Sequence, residues 1–360
     1  MEMTRKERLL GAIRGNEIDR VPWSPFLAYY WEHLPIEIKS QGQITYLLEM
    51  GADPLLRGFF KLYDTTLTNC QFYQKTQGNK RYDIYETKVG TLTEEYTFST
   101  AANSWFLTGH PVKTEEDFKI LQYMAENTMI TENLKKFEQD NKNLGENGLH
   151  LPLIGLYGKT AFQSMVERWC GTVDLVYALY DFPEVVEECL AVIQSKDLET
   201  VQISVKSSAD GFIFWEDSSS TNVSPGFFSK YTAPEINQWG SLIHDSDKLL
   251  IHHACGHLRD LLPLMGDTEI DMVESISPPP TGNIEIREAI KLLPEHVGII
   301  GGIEPTFIEN CSLEMLHVCA EELLSVMKGK RFVLANSDSC PPGVAYEKFL
   351  LVSELVKKLS

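Results

Sequence analysis

The run Lys248-Leu249-Leu250-Ile251-His252-His253-Ala254-Cys255-Gly256-His257 decides how the rest of the chain is read. Its apolar part is too short for a helix and suits a strand buried in a parallel sheet. Side chains two apart on a strand share a side, so His253 and Cys255 face one way and His252 the other. An imidazole and a thiol together at a strand end make half of a tetrahedral zinc site. A second apolar run, Phe332-Val333-Leu334, leads into Ala335-Asn336-Ser337-Asp338-Ser339-Cys340-Pro341 and offers another thiol. His253, Cys255 and Cys340 therefore suggest a catalytic zinc. The plainer alternative is a buried histidine near two ordinary thiols.

Working outward, similar runs recur along the chain. Strands are expected at 20–27, 53–59, 149–157, 211–217, 248–255, 269–275, 298–303 and 331–336. Helices are expected at 3–18 with Thr4 as N-cap, 43–50 closed by Gly51, 183–205, 283–293 and 313–327. Eight strands, each followed by a helix, point to an α/β fold of the (β/α)8 barrel type, with a doubly wound sheet as the alternative. Residues 82–98 alternate and are broken by Gly90, which reads as a β-hairpin inserted at about 80–99. No Pro-, Gly- or Ser-rich linker divides the chain, so one domain over 1–360 is expected.

A barrel keeps its chemistry at the C-terminal ends of its strands. Those ends carry Glu216 and Asp217 (fourth), His253 and Cys255 (fifth), Glu274 (sixth), Glu304 (seventh), and Asp338 and Cys340 (eighth). Each also has a plainer reading. Glu216 and Asp217 could cap the helix near Ser224, and Glu274 could be a solvated strand end or the partner of a cation. His252 reads as a packed histidine and His257 as surface. Cys70, Cys170, Cys189, Cys311 and Cys319 read as small core hydrophobes.

A net charge of −19 argues against nucleic acid and anionic membranes, both of which need basic patches. The seven scattered cysteines fit a reducing cytoplasm better than a disulfide framework. The charged start, Met1 to Arg8, does not read as a secretory signal, and no apolar run is long enough to span a membrane.

Three segments together resemble the uroporphyrinogen decarboxylase superfamily. They are Met3-Thr4-Arg5-Lys6-Glu7-Arg8 through Arg20-Val21-Pro22; Gly211-Phe212-Ile213-Phe214-Trp215-Glu216-Asp217 with Ser224-Pro225; and Gly301-Gly302-Ile303-Glu304-Pro305. The resemblance covers essentially the whole chain and implies a (β/α)8 barrel. His253-Ala254-Cys255 with the distant Cys340 is similar to the methylcobamide:coenzyme M methyltransferase branch, whose members carry a His-x-Cys…Cys zinc motif. That branch implies zinc held by His253, Cys255 and Cys340. By analogy with cobalamin-independent methionine synthases, the fourth ligand is Glu274, with Glu216 as the rival. Glu216 or Asp217 would orient His253. The activity implied is methyl transfer between a corrinoid, either free methylcobalamin or a corrinoid protein, and a small thiol or other methyl donor or acceptor. The decarboxylases of the superfamily grip substrate carboxylates with N-terminal arginines, whereas residues 23–31 here contain none. Decarboxylation of a porphyrinogen is the alternative, and a zinc-binding accessory subunit without turnover is the second.

Overall fold

In a computed structural model of the protein, residues 2–58, 60–100 and 104–359 are described. Phe59, the last residue of the expected second strand, lies outside them, as do Met1 and Ser360 at the ends of the expected domain. The described chain forms a (β/α)8 barrel. Its strands are 22–24, Leu55–Arg57, Leu149–Leu151, Gly211–Glu216, Leu249–Ala254, Met272–Ile276, Gly298–Ile303 and Phe332–Asn336. Parallel ladders join the second strand to the third and run unbroken from the fourth to the eighth. A bridge from Leu153 to Ile213 joins the third to the fourth, and one from Trp23 to Leu334 joins the first to the eighth. The Asp53 N–H donates to the Trp23 carbonyl at 2.7 Å, which closes the ring.

Two strands are shorter than expected. The first pairs only around Trp23, because Pro22 and Pro25 bring no N–H to a ladder. The third stops at Leu151, and residues 155–161 form a loop in which Gly155 has φ +82°. The inserted element is also larger than a hairpin. Strands Lys80–Thr87 and Gly90–Ser99 form the expected pair, and Cys70–Gln77 and Ser104–Gly109 extend it to a four-stranded antiparallel sheet. Tyr63–Leu67 and Thr128–Glu132 pair antiparallel at its base. Arg168, at the barrel rim, binds Glu94 of that sheet at 2.6 Å and lies over the rings of Tyr157 and Trp169.

Alternation along the strands sorts their side chains into two layers. Leu55, Leu149, Leu151, Ile213, Leu249, Ile251, Met272, Ile300 and Val333 fill the lumen, where Leu9, Ala12 and Ile13 of the helix Arg5–Arg14 plug the bottom. Their neighbours, such as Phe212, Phe214, Leu250, Val273 and Phe332, pack outward against the helices. Thr4 caps the plug helix, as its sequence suggested, and Glu7 returns the bond to complete a capping box.

Below the plug, Arg8 holds Asp19 through two bonds of 2.6 and 2.7 Å and reaches Asp53 at 2.7 Å. The Arg8 bond is the main reason the Asp19 carboxyl drops from 3.8 to about 2. A depressed carboxyl stabilises the fold above its ordinary value, and that stabilisation disappears as pH falls from about 4 towards 2. Asp19→Asn should therefore lose about 2 kcal/mol at neutral pH. Denaturant titrations should show the gap between variant and wild type closing on acidification. A gap that persists at the lowest pH would mean that Asp19 acts through packing.

Candidate functional site

His253 and Cys255 leave the fifth strand on one side, as their spacing predicted, and that side is the lumen. The Asp338 carboxylate joins them, and one donor atom from each of the three lies within 4.8 Å of the others. In a tetrahedral zinc site, bonds of roughly 2.0–2.3 Å put the ligand atoms roughly 3.3–3.8 Å apart, so this cluster needs to contract only a little. The donor set of nitrogen, sulfur and carboxylate oxygen suits zinc.

The fourth, fifth and sixth strands explain how His253 is held. Glu274 is the direct register partner of His253, and two side chains in that relation on one face can touch. His253 Nδ1–H donates to Glu274 Oε2 at 2.7 Å, which leaves Nε2 as the nitrogen available to a cation. Glu274 Oε1 lies 2.6 Å from Arg57 Nε, an ion pair set off the N–H direction. Both side chains are about 1% exposed. Burial alone would raise the Glu274 carboxyl, but Arg57 and His253 outweigh it and hold Glu274 below the ordinary carboxylate range. The sixth strand ends in a β-bulge at Ser275, whose φ is +84°, immediately beyond Glu274. The rings of Phe26 and Trp215 stand 6.0 and 5.9 Å from the imidazole, and Arg57 lies over Phe26. Gly58 makes room for Trp215, since a Cβ there would come within 2.0 Å of the indole.

Three expected roles are altered by this geometry. Glu274 is occupied by His253 and Arg57, which makes it the residue that orients His253. Glu216 does not reach His253. It lies in the outward phase of the fourth strand with Phe214 and meets His252, the outward residue of the fifth, at 3.0 Å. His252 is fully buried and stacks on Phe214 at 4.3 Å, a packed histidine as its phase implied. Asp217 is half-buried, and its carboxylate accepts from Asn222 Nδ2 at 2.9 Å.

Cys340 is the third change. It is completely buried, its Sγ reaches the Pro341 carbonyl at 3.7 Å, and its N–H is tied to the Phe26 carbonyl. Asn336 bonds both the N–H and the carbonyl of Phe26 and also donates to the Asp338 carbonyl. This clasp presents Asp338 to the lumen and turns Cys340 into the core. His257 is partly exposed, and its N–H donates to Ser219 Oγ.

Arg57 was missed from sequence, although it had a signal: an arginine two residues beyond Leu55, in the lumen phase of an apolar strand. The surroundings of Cys255 are acidic. Burial, then Asp338, Asp217 and Glu167, push its thiol up, so a thiolate at this place calls for a cation.

No helix among the described residues is long and apolar enough to cross a membrane. No curated protein sequence matches the chain. Among solved structures, a methyltransferase from Methanosarcina mazei superposes with a TM-score of 0.63 at 13% identity, over 99% of both chains. A B12-independent methionine synthase from Shewanella sp. W3-18-1 gives 0.47 at 10% identity, over 94% of this chain and 98% of that one. The sequence profile of uroporphyrinogen decarboxylase (URO-D) matches residues 109–359, and with that span inside the barrel just described, the chain belongs to the uroporphyrinogen decarboxylase family.

Proposed function

We propose that this protein is a zinc-dependent methyltransferase that moves a methyl group between a corrinoid, free or protein-borne, and a small thiol. The observation that carries the reading is the cluster of His253, Cys255 and Asp338 at the barrel mouth, with His253 oriented by Glu274. These three would hold the metal, and Cys340 is the rival for the place of Asp338 on the same loop. Zinc bound there would lower the pKa of a coordinated thiol and present it as thiolate at neutral pH. The rest is done by the chain itself. Glu274 fixes the Nδ1–H tautomer of His253, Arg57 keeps Glu274 ionised, and Phe26 and Trp215 cover the imidazole on its lumen side. Placement in the methyltransferase branch rests on the His-x-Cys motif, and a soluble setting in the cytoplasm on charge and cysteine usage.

The alternative within the family, decarboxylation of a polycarboxylate, is disfavoured by charge. A tetra-acidic substrate needs cations at the mouth. The groups around Cys255 are Asp338, Asp217 and Glu167, and Arg57 is already paired with Glu274.

The direct experiment is to mix zinc-loaded protein with methylcobalamin and a panel of small thiols and to follow loss of the cobalt–carbon absorbance. The expected outcome is thiol-dependent consumption that stops when zinc is removed and returns when it is restored. Consumption indifferent to zinc, or none with any thiol or corrinoid protein, would sink the reading.

A further inference from the structure

Outside the ring, two carboxyl groups are buried against each other. Asp197 on the helix Pro183–Ser204 and Glu235 on the helix Ala233–His244 are 0 and 2% exposed and close enough to shift one another's carboxyl. Asp197 Oδ1 accepts the Leu156 N–H at 2.5 Å. Glu235 Oε2 accepts the Ala161 N–H at 3.0 Å and Gln194 Nε2 at 3.5 Å. Among the described residues, the other two oxygens, Asp197 Oδ2 and Glu235 Oε1, find no donor. Two ionised carboxylates can only accept, so they cannot satisfy each other, whereas one proton between them satisfies both orphaned oxygens.

The two acids grip opposite ends of the loop 155–161. Within it, the Gly155 N–H donates to Thr200 Oγ1, and the Thr160 N–H and hydroxyl both donate to Glu216. The loop also borders the metal centre. The Gly158 carbonyl accepts the Trp215 N–H at 2.8 Å, and Trp215 flanks His253. Lys159 pairs with Glu167, which accepts the Asp217 N–H beside Cys255.

We propose that Asp197 and Glu235 share one proton at neutral pH and are positioning residues, the proton keeping the loop 155–161 seated against the wall of the metal centre. Losing it leaves two adjacent buried anions, which push the two helices apart and release the loop. The charged and titratable groups facing the pair are Lys61, whose ammonium bonds the Leu156 carbonyl; Tyr63, whose hydroxyl bonds the Gly155 carbonyl; Tyr157; and Glu216 with its partner His252. Burial, above all, lifts the Asp197 carboxyl to about 7 and raises Glu235 as well. A raised carboxyl keeps a proton that the unfolded chain releases near 4. Stability therefore falls as pH climbs above about 4, for as long as the pair keeps its proton.

Amide hydrogen exchange of the full-length protein tests this without any assay of methyl transfer, so its failure is separable from failure of the proposed function. After correction for intrinsic exchange, protection of Leu156 and Ala161 should fall about tenfold per pH unit above about 4, for as long as the closed pair keeps its proton. In Asp197→Asn the amide keeps Oδ1 as acceptor and donates a fixed N–H to Glu235, so protection should stay level with pH. Infrared spectra of wild type near neutral pH should contain a buried carboxylic-acid band that Asp197→Asn lacks. Should that variant fail to fold, Glu235→Gln supplies the same fixed donor from the other side. Wild-type protection that does not change with pH, or a spectrum without the acid band near neutral pH, would overturn the proposal.

Discussion

Cys255→Ser is expected to strip the protein of most of its zinc, with metal content after gel filtration falling from near one per chain to a small fraction. A serine hydroxyl stays protonated at neutral pH and is a harder, weaker donor than thiolate. Losing a residue that merely orients a ligand costs roughly 10–100-fold in metal affinity, so losing a ligand should cost more. Asp338→Asn should behave similarly, because the amide oxygen brings no charge to balance a divalent cation. Cys340→Ser should keep its zinc, since Cys340 is buried away from the cluster and clasped through Phe26. The reverse result, zinc lost from Cys340→Ser and kept by Asp338→Asn, would show that the 336–340 loop turns over when metal binds. Full zinc in Cys255→Ser would remove the metal centre from consideration.

The second large effect belongs to Arg57. Arg57→Met is expected to destabilise the metal-free protein by about 3–5 kcal/mol, because it leaves the Glu274 carboxylate buried without its cation. The ordinary worth of an ion pair is not the measure here. Both side chains are about 1% exposed, so water cannot take over the lost interaction. Adding Glu274→Gln should recover much of the loss, since the glutamine oxygen still accepts from His253 Nδ1 without a stranded charge. Zinc affinity should also fall about 10–100-fold in Arg57→Met, as Glu274 is freed to move and His253 loses its fixed orientation. Denaturant titration of the single and double variants reads the first effect and competition with a chelator the second. A stability change below about 1 kcal/mol for Arg57→Met would mean that water or another group reaches Glu274.

Much of this protein was legible in its sequence, because strand periodicity is local. Leu249 to Cys255 told by alternation alone that His253 and Cys255 share one side and that His252 takes the other. The buried stack of His252 on Phe214 follows from that alternation. The succession of apolar runs likewise implied the barrel, and residues 82–98 the central pair of the inserted sheet. That sheet's outer strands were harder to see. Cys70–Gln77 is exposed along most of its length and lacks an apolar face.

Tertiary structure decided what no local pattern encodes. Arg57 and Glu274 sit on the second and sixth strands of an eight-stranded ring, on opposite sides of the lumen, and only closure of the barrel brings them together. Asp338 and Cys340 have the same phase and nearly the same place in the chain, so periodicity ranks them equally. The choice between them falls to Asn336 and its bonds to Phe26, 310 residues away. Glu216 met His252 instead of His253 because a strand end fixes which side a carboxylate leaves from, while sequence proximity says only that it is near. Residues two apart on a strand share a face by covalent geometry, and that much can be read from sequence. Partners across a lumen or a loop are selected by the packing of the whole chain, and these were settled only in three dimensions.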